Sequence, residues 1–141
     1  DIAIDYKSER VGRRLRALAP NGINIFYDNV GGEILEAALS NLAVEARIVL
    51  CGAISGYNSG GLPAPPRNYM ALVWKSATMA GFMMSDFSDR YAEASAQLGE
   101  WVRDGKLKFA VDMQQGFENV PATLLRLFEG RNLGKQLCRI A

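Results

Sequence analysis

Apolar residues recur along the chain with two periods, and the points where the period changes mark the element boundaries. Short β-type runs alternate with helical stretches, which predicts βαβ units around a parallel sheet. Strands are predicted at Ile2–Tyr6, Ile23–Asp28, Ala46–Gly52 and Ala80–Met84. The run from Ala46 to Gly52 is almost continuously apolar, so it is expected to be central and covered on both faces. Between these strands, Val11, Leu15 and Leu18 recur at helical spacing after a capping Ser8, and Pro20, Asn21 and Gly22 end that helix. Gly31 and Gly32 open the next helix, whose buried stripe is Ile34, Leu35, Ala38, Leu39 and Leu42.

Ser55 to Arg67 carries no period and reads as a long loop, the kind that is uncommon without a functional reason. A helix over 68–75 follows. Ser85 to Asp89 supplies caps for an amphipathic helix that places Tyr91, Ala94, Leu98, Trp101 and Val102 on one face and stops at Gly105. Beyond it come a strand at Leu107–Met113, an Asn119-capped helix carrying Leu124, Leu125 and Phe128, and a strand at Lys135–Ile140.

At 141 residues the chain can build a sizeable core. Sixteen Lys and Arg stand against fifteen Asp and Glu, so no charge footprint points to nucleic acid or an anionic membrane. Arg10, Arg13, Arg14 and Arg16 read as the wet side of the first helix. There is no histidine, which removes Ser-His and Cys-His nucleophile pairs and most zinc and iron sites. Cys51 and Cys138 lie in apolar runs at a spacing that suits no metal, and are expected to be buried thiols in a reducing cytoplasm. No apolar run approaches the ~20 residues of a membrane helix. The chain opens inside a predicted strand without an initiator Met, as a piece of a longer protein does.

Ligands of an open α/β sheet gather beyond the carboxyl ends of its strands, so chemistry is sought at three exits. These are Asp28–Gly32, Cys51–Asn58 and Phe82–Met84. In the first, glycines permit close backbone approach and a helix start offers N–H groups to a phosphate or ribose, although two glycines before a helix also serve a plain turn. The second combines a glycine-containing turn with Ser55, Tyr57 and Asn58. A phenol can polarise a carbonyl where histidine is lacking, while an exposed turn tyrosine with no role is the alternative. No Gly-x-Gly-x-x-Gly fingerprint or phosphate-binding loop occurs. Asp28, Asp86 and Asp89 read as strand-end and cap residues rather than an acid/base pair.

The runs Ile25–Glu33 and Arg47–Asn58 resemble the zinc-independent alkenal/one reductases of the medium-chain dehydrogenase/reductase superfamily, which include leukotriene B4 12-hydroxydehydrogenase and curcumin-reductase-like enzymes. The similarity continues through Ala80–Met84, Gly105–Lys108, Gly116–Ala122 and Asn132–Lys135, and so spans essentially the whole chain. It implies an α/β fold: the C-terminal half of a doubly wound, Rossmann-type parallel sheet over 1–105, lacking its first two strands, then a segment over 106–141 that rejoins a catalytic domain.

It also implies NADPH-dependent reduction of the C=C bond of α,β-unsaturated ketones or aldehydes by the full-length parent, without metal. The chain alone is expected to be inactive, and the parent to be cytoplasmic, with a homodimer allowed. In that pattern Tyr57 is the catalytic tyrosine at the substrate carbonyl, and Tyr6 lies near the adenosine 2′-phosphate. Asn29, Cys51, Gly52, Ala53, Ile54, Ser55, Phe82, Met83, Met84 and Asn132 line the cofactor. The family's glycine-rich turn and basic phosphate-binding residue have no counterpart here. Two other readings compete: a silent assembly module whose incomplete sheet pairs with another chain, and a quinone-reductase-like or methyltransferase-like relative in which Tyr57 has no role.

Overall fold

The computed structural model describes residues 2–57 and 64–141. Their order is α1 (Val11–Leu18), β1 (Ile23–Asp28), α2 (Gly32–Leu39), β2 (Leu42–Leu50), α3 (Ala71–Trp74), β3 (Thr78–Gly81), α4 (Tyr91–Arg103), β4 (Val111–Gln115), α5 (Val120–Phe128) and β5 (Lys135–Arg139). The chain divides into two compact units, Asp1–Phe87 and Ser88–Ala141.

In the first unit β1, β2 and β3 form one parallel sheet with β2 in the centre, as the apolar run from Ala46 predicts. The ladder aligns Phe26 with Ile48 and Met79, and Asp28 with Leu50 and Gly81. Because side chains alternate along a strand, these residues share one face. That face carries the core, where Leu35, Leu39, Leu42, Ala46, Ile48 and Ala71 are buried and Phe26, Leu50 and Met79 pack against them. Full burial of each Leu or Ile here is worth about 1.5–3 kcal/mol. The segment after residue 63 is tied to α2 by Asn68, whose Nδ2 donates to the Glu36 carbonyl at 2.8 Å and to Ser40 Oγ at 2.7 Å.

The expectation that β2 is covered on both faces does not hold. Ile25, Tyr27, Arg47, Thr78 and Ala80 face outward and are exposed, because only one face of this sheet carries a helix layer among the described residues. Ile2–Tyr6 is not a strand: it has no ladder, and Ser8 and Glu9 N–H groups turn back onto the Asp5 carbonyl. Nor does Ser8 cap α1, since its hydroxyl donates to Asp5 Oδ2 at 2.7 Å and Arg10 holds the cap position. The helix expected over 68–75 contracts to α3, and the strand expected at Ala80–Met84 starts earlier and ends at Gly81, where glycine and the following turn release the ladder. Part of the predicted long loop, residues 58–63 with Asn58, lies outside the described residues.

The second unit pairs β4 and β5 in parallel, flanked by α5. Asp112 ties it together: Oδ2 accepts from Arg126 Nη2 at 2.8 Å and from Leu133 N–H at 3.3 Å, and Oδ1 from Gln114 at 2.8 Å. The Arg126 bond, first among these, holds the Asp112 carboxyl below the usual carboxylate range. The predicted strand at Leu107 begins only at Val111. Asn119 occupies the cap position of α5 but does not cap it; its Nδ2 donates backward to the Gln115 carbonyl at 2.7 Å. The predicted apolar faces of α4 and α5 are not buried, and Thr123 is the one buried residue of the unit among those described. Two strands give too little sheet to cover them.

Candidate functional site

The carboxyl ends of β1, β2 and β3 open onto a cleft of about 620 Å³. Its lining includes Asp28, Gly31, Leu35 and Leu50, then Cys51, Gly52, Ala53 and Tyr57 from the second exit, and Gly81, Phe82, Met83 and Asp86 from the third. Six of the anticipated site residues thus meet in one place: Cys51, Gly52, Ala53, Tyr57, Phe82 and Met83. Asn29, Ile54 and Ser55 sit in the same loops without lining it. Tyr6 and Met84 do not line it either, and both are exposed. Asn132 lies in the second unit, where its Nδ2 donates to the Gly134 carbonyl at 2.7 Å.

Asp28 organises the first two exits. Its carbonyl accepts from Cys51 N–H at 2.8 Å and Gly52 N–H at 3.2 Å, which carries the β1–β2 ladder one step past the strand. Its Oδ1 accepts from Val30 N–H at 2.8 Å and Gly31 N–H at 3.0 Å, so the strand-end reading of this aspartate holds. The side chain is 1% exposed, and Oδ2 has no partner among the described residues. Asp86 likewise works locally, with Oδ2 accepting from Met83 N–H at 2.9 Å.

Gly31 and Gly32 both adopt positive φ, +69° and +55°, a region in which side chains are strained. A short 3₁₀ turn, Ile54–Gly56, hangs from the first loop and presents Tyr57. The Tyr57 side chain folds back so that its hydroxyl accepts from Ala53 N–H at 3.3 Å, yet the residue remains 67% exposed. With its oxygen already accepting, the phenolic hydrogen has no acceptor among the described residues.

Three features escape a reading of the sequence. Cys51 is half-buried rather than buried, because the strand ends at Leu50 and the residue sits on the turn that lines the cleft; Cys138 is half-buried too. Tyr27 was given no role, yet the Cys51 thiol near its hydroxyl, with desolvation adding to it, raises its phenol above the ordinary value. Its ring lies 6.1 Å from that of Phe82, which in turn meets Phe87 edge-on at 5.7 Å. Only the pairing of β1 with β2 brings Tyr27 beside Cys51, so no local motif could reveal it.

A family model described as zinc-binding dehydrogenase matches residues 1–137. The chain is 35% identical to the NADPH-dependent curcumin reductase of Escherichia coli (strain K12) and 34% identical to the NADP(+)-dependent 2-alkenal reductase of Nicotiana tabacum. All of this chain is covered in both matches, against 42% and 41% of those enzymes. The structure of CurA from Vibrio vulnificus in complex with NADPH matches the whole chain with a TM-score of 0.87 and 36% identity, over 43% of that protein. The chain therefore spans less than half the length of these relatives, and its parallel α/β architecture corresponds to their C-terminal part.

Proposed function

The chain belongs to the zinc-binding dehydrogenase family, and from that premise we propose that the full-length protein is an NADPH-dependent reductase of the C=C bond in α,β-unsaturated ketones and aldehydes. The activities of the tobacco and Escherichia coli relatives, and the NADPH bound by the Vibrio vulnificus protein, support this reading. The observation that carries it is Tyr57: a phenol at the mouth of a strand-exit cleft, its oxygen held by Ala53 N–H and its proton without an acceptor among the described residues.

A zinc ion does not fit the donors present. The chain has no histidine, and no three Cys, Asp or Glu side chains converge among the described residues. A nicotinamide cofactor does fit: a cleft at the carboxyl ends of parallel strands is bordered by Gly81, where a Cβ would meet only the Leu50 carbonyl oxygen at 3.9 Å, so a ligand can approach the backbone there. Cys51, Gly52, Ala53, Phe82 and Met83 would hold it in the cleft. Asn29 and Ile54 border that place, Ser55 braces the loop behind it without contacting the cofactor, and Tyr6, Met84 and Asn132 complete the proposed set.

NADPH, when bound, supplies a hydride to the β-carbon of the enone. The work of the chain is to orient the acceptor and to stabilise the charge that moves onto its oxygen. Tyr57 donates its phenolic hydrogen to that oxygen, and the bond strengthens as the carbonyl becomes an enolate. The Ala53 N–H holds the phenol in place and polarises it further. Apolar walls at Leu35, Leu50 and Phe82 lower the local dielectric, which raises the value of that bond. A proton from water, taken up at the α-carbon as the enolate returns to the carbonyl, completes the reduction.

The full-length protein, assayed for NADPH oxidation against enals and enones alongside their saturated counterparts and simple quinones, should consume only the enals and enones efficiently. Preference for quinones, or equal turnover of saturated aldehydes, overturns the assignment.

A further inference from the structure

We infer that Ser55 is a positioning residue: its hydroxyl clasps the two strand-exit loops together and thereby sets where Tyr57 presents its proton. The inference rests on the donor role of Tyr57 given above. The Ser55 hydroxyl donates to the Val30 carbonyl at 2.5 Å, and the Ser55 N–H donates to the same oxygen at 3.1 Å. Ile54 N–H donates to the neighbouring Asn29 carbonyl at 3.1 Å. The turn that carries Tyr57 is therefore suspended from Asn29 and Val30 by three hydrogen bonds, and only one of them comes from a side chain.

The other loop is built to receive that hydroxyl. A Cβ at Gly32 would stand 3.0 Å from Ser55 Oγ, so the hydroxyl crowds the space that side chain would take, and one at Gly31 would lie in ordinary contact with it at 3.7 Å. Asp28 fixes the same loop from below through Val30 and Gly31 N–H. Val30 thus links a buried carboxylate, through its own N–H, to the Ser55 hydroxyl, through its carbonyl. Two residues after Ser55, the Tyr57 hydroxyl lies where a Cβ on Gly52 would touch it at 3.0 Å. A small rotation of the turn moves that hydroxyl relative to any carbonyl held in the cleft. Ser55 itself points at protein, since its hydrogen is committed to Val30.

The test is a double-mutant cycle in the full-length protein between Ser55→Ala and Tyr57→Phe, with kcat on an enone and NADPH affinity by fluorescence titration. Loss of one neutral hydrogen bond predicts that S55A lowers kcat about 5- to 10-fold. NADPH affinity should stay within about twofold, and Ser55→Thr, which keeps the hydroxyl, should restore kcat. In the Y57F background S55A should cost nothing further, because the group it positions is gone. An equal loss from S55A in both backgrounds overturns the inference, as does wild-type kcat in S55A or a defect confined to NADPH affinity. Wild-type kcat in Y57F alone removes the Tyr57 reading itself, whereas a defective Y57F with an additive S55A removes only the clasp.

Discussion

Gly52→Ala offers a graded perturbation of the site, because at this position a methyl group meets the proposed donor directly. Gly52 has an ordinary backbone conformation, so the substitution adds no left-handed strain. The new Cβ would lie 3.0 Å from the Tyr57 hydroxyl oxygen and 3.5 Å from the Asn29 carbonyl oxygen. Ordinary contact begins near 3.4 Å, so the hydroxyl must retreat by at least 0.4 Å. Its bond from Ala53 N–H is already long at 3.3 Å and does not survive that movement. A misplacement of about 1 Å in a reacting constellation costs about 10²-fold, so half that shift plus one weak hydrogen bond predicts a fall in kcat of about 5- to 30-fold. Thermal stability should change by less than about 1 kcal/mol, since the exposed ring can swing toward solvent. The assay is steady-state NADPH oxidation with a saturating enone, accompanied by a denaturant midpoint. In the Y57F background the methyl group meets no hydroxyl, and with NADPH saturating Gly52→Ala should then cost less than twofold in kcat. Full kcat in Gly52→Ala, or an equal loss in both backgrounds, refutes the reasoning.

Gly31→Ala places a side chain at φ +69° with its Cβ 3.2 Å from that of Ala53, and should destabilise the protein by about 1–3 kcal/mol in urea unfolding; an unchanged midpoint contradicts the packing. Asp112 has a folded-state carboxyl held below its ordinary value of 3.8, chiefly by Arg126, so its contribution is present above that value and lost as pH falls through the depressed folded value. Asp112→Asn should therefore flatten the acid limb of the stability–pH curve and leave its slope near neutrality unchanged; a steepened acid limb refutes the pairing. Cys51→Ala should bring the ionisation of Tyr27 back toward its ordinary value in a tyrosinate absorbance titration, and an unmoved titration shows that the thiol is not its partner.

How much was legible in the sequence depends on how local the cause is. β1 and the start of α2 are predicted to the residue, since Pro20–Gly22 and Gly31–Gly32 punctuate the chain through backbone conformation alone, whereas Leu42, expected on the helix stripe, instead opens β2, which starts four residues before the predicted Ala46. Ile2–Tyr6 has every local mark of a strand but no neighbour in the sheet, and strand character without a partner ladder forms nothing. The same limit explains α4: its apolar face follows from periodicity, but burial requires an opposing layer that the described residues do not supply. At the site, the grouping of Cys51, Tyr57 and Phe82 follows from the rule that ligands gather beyond strand ends. The Asp28 bonds and the Ser55 clasp depend on how β1 and β2 are registered, which composition and spacing do not specify.

The donor role of Tyr57 is the claim on which the functional account stands, and Tyr57→Phe in the full-length protein tests it most directly. The ring and its exposure are retained and only the hydroxyl is lost. Removal of an oxyanion donor predicts a fall in enone kcat of about 10- to 1,000-fold, the lower end applying because the cleft is open and water can substitute. NADPH affinity, measured by fluorescence titration on the same preparation, should change less than twofold. Wild-type kcat on several enones, or a defect seen only in NADPH binding, contradicts the account.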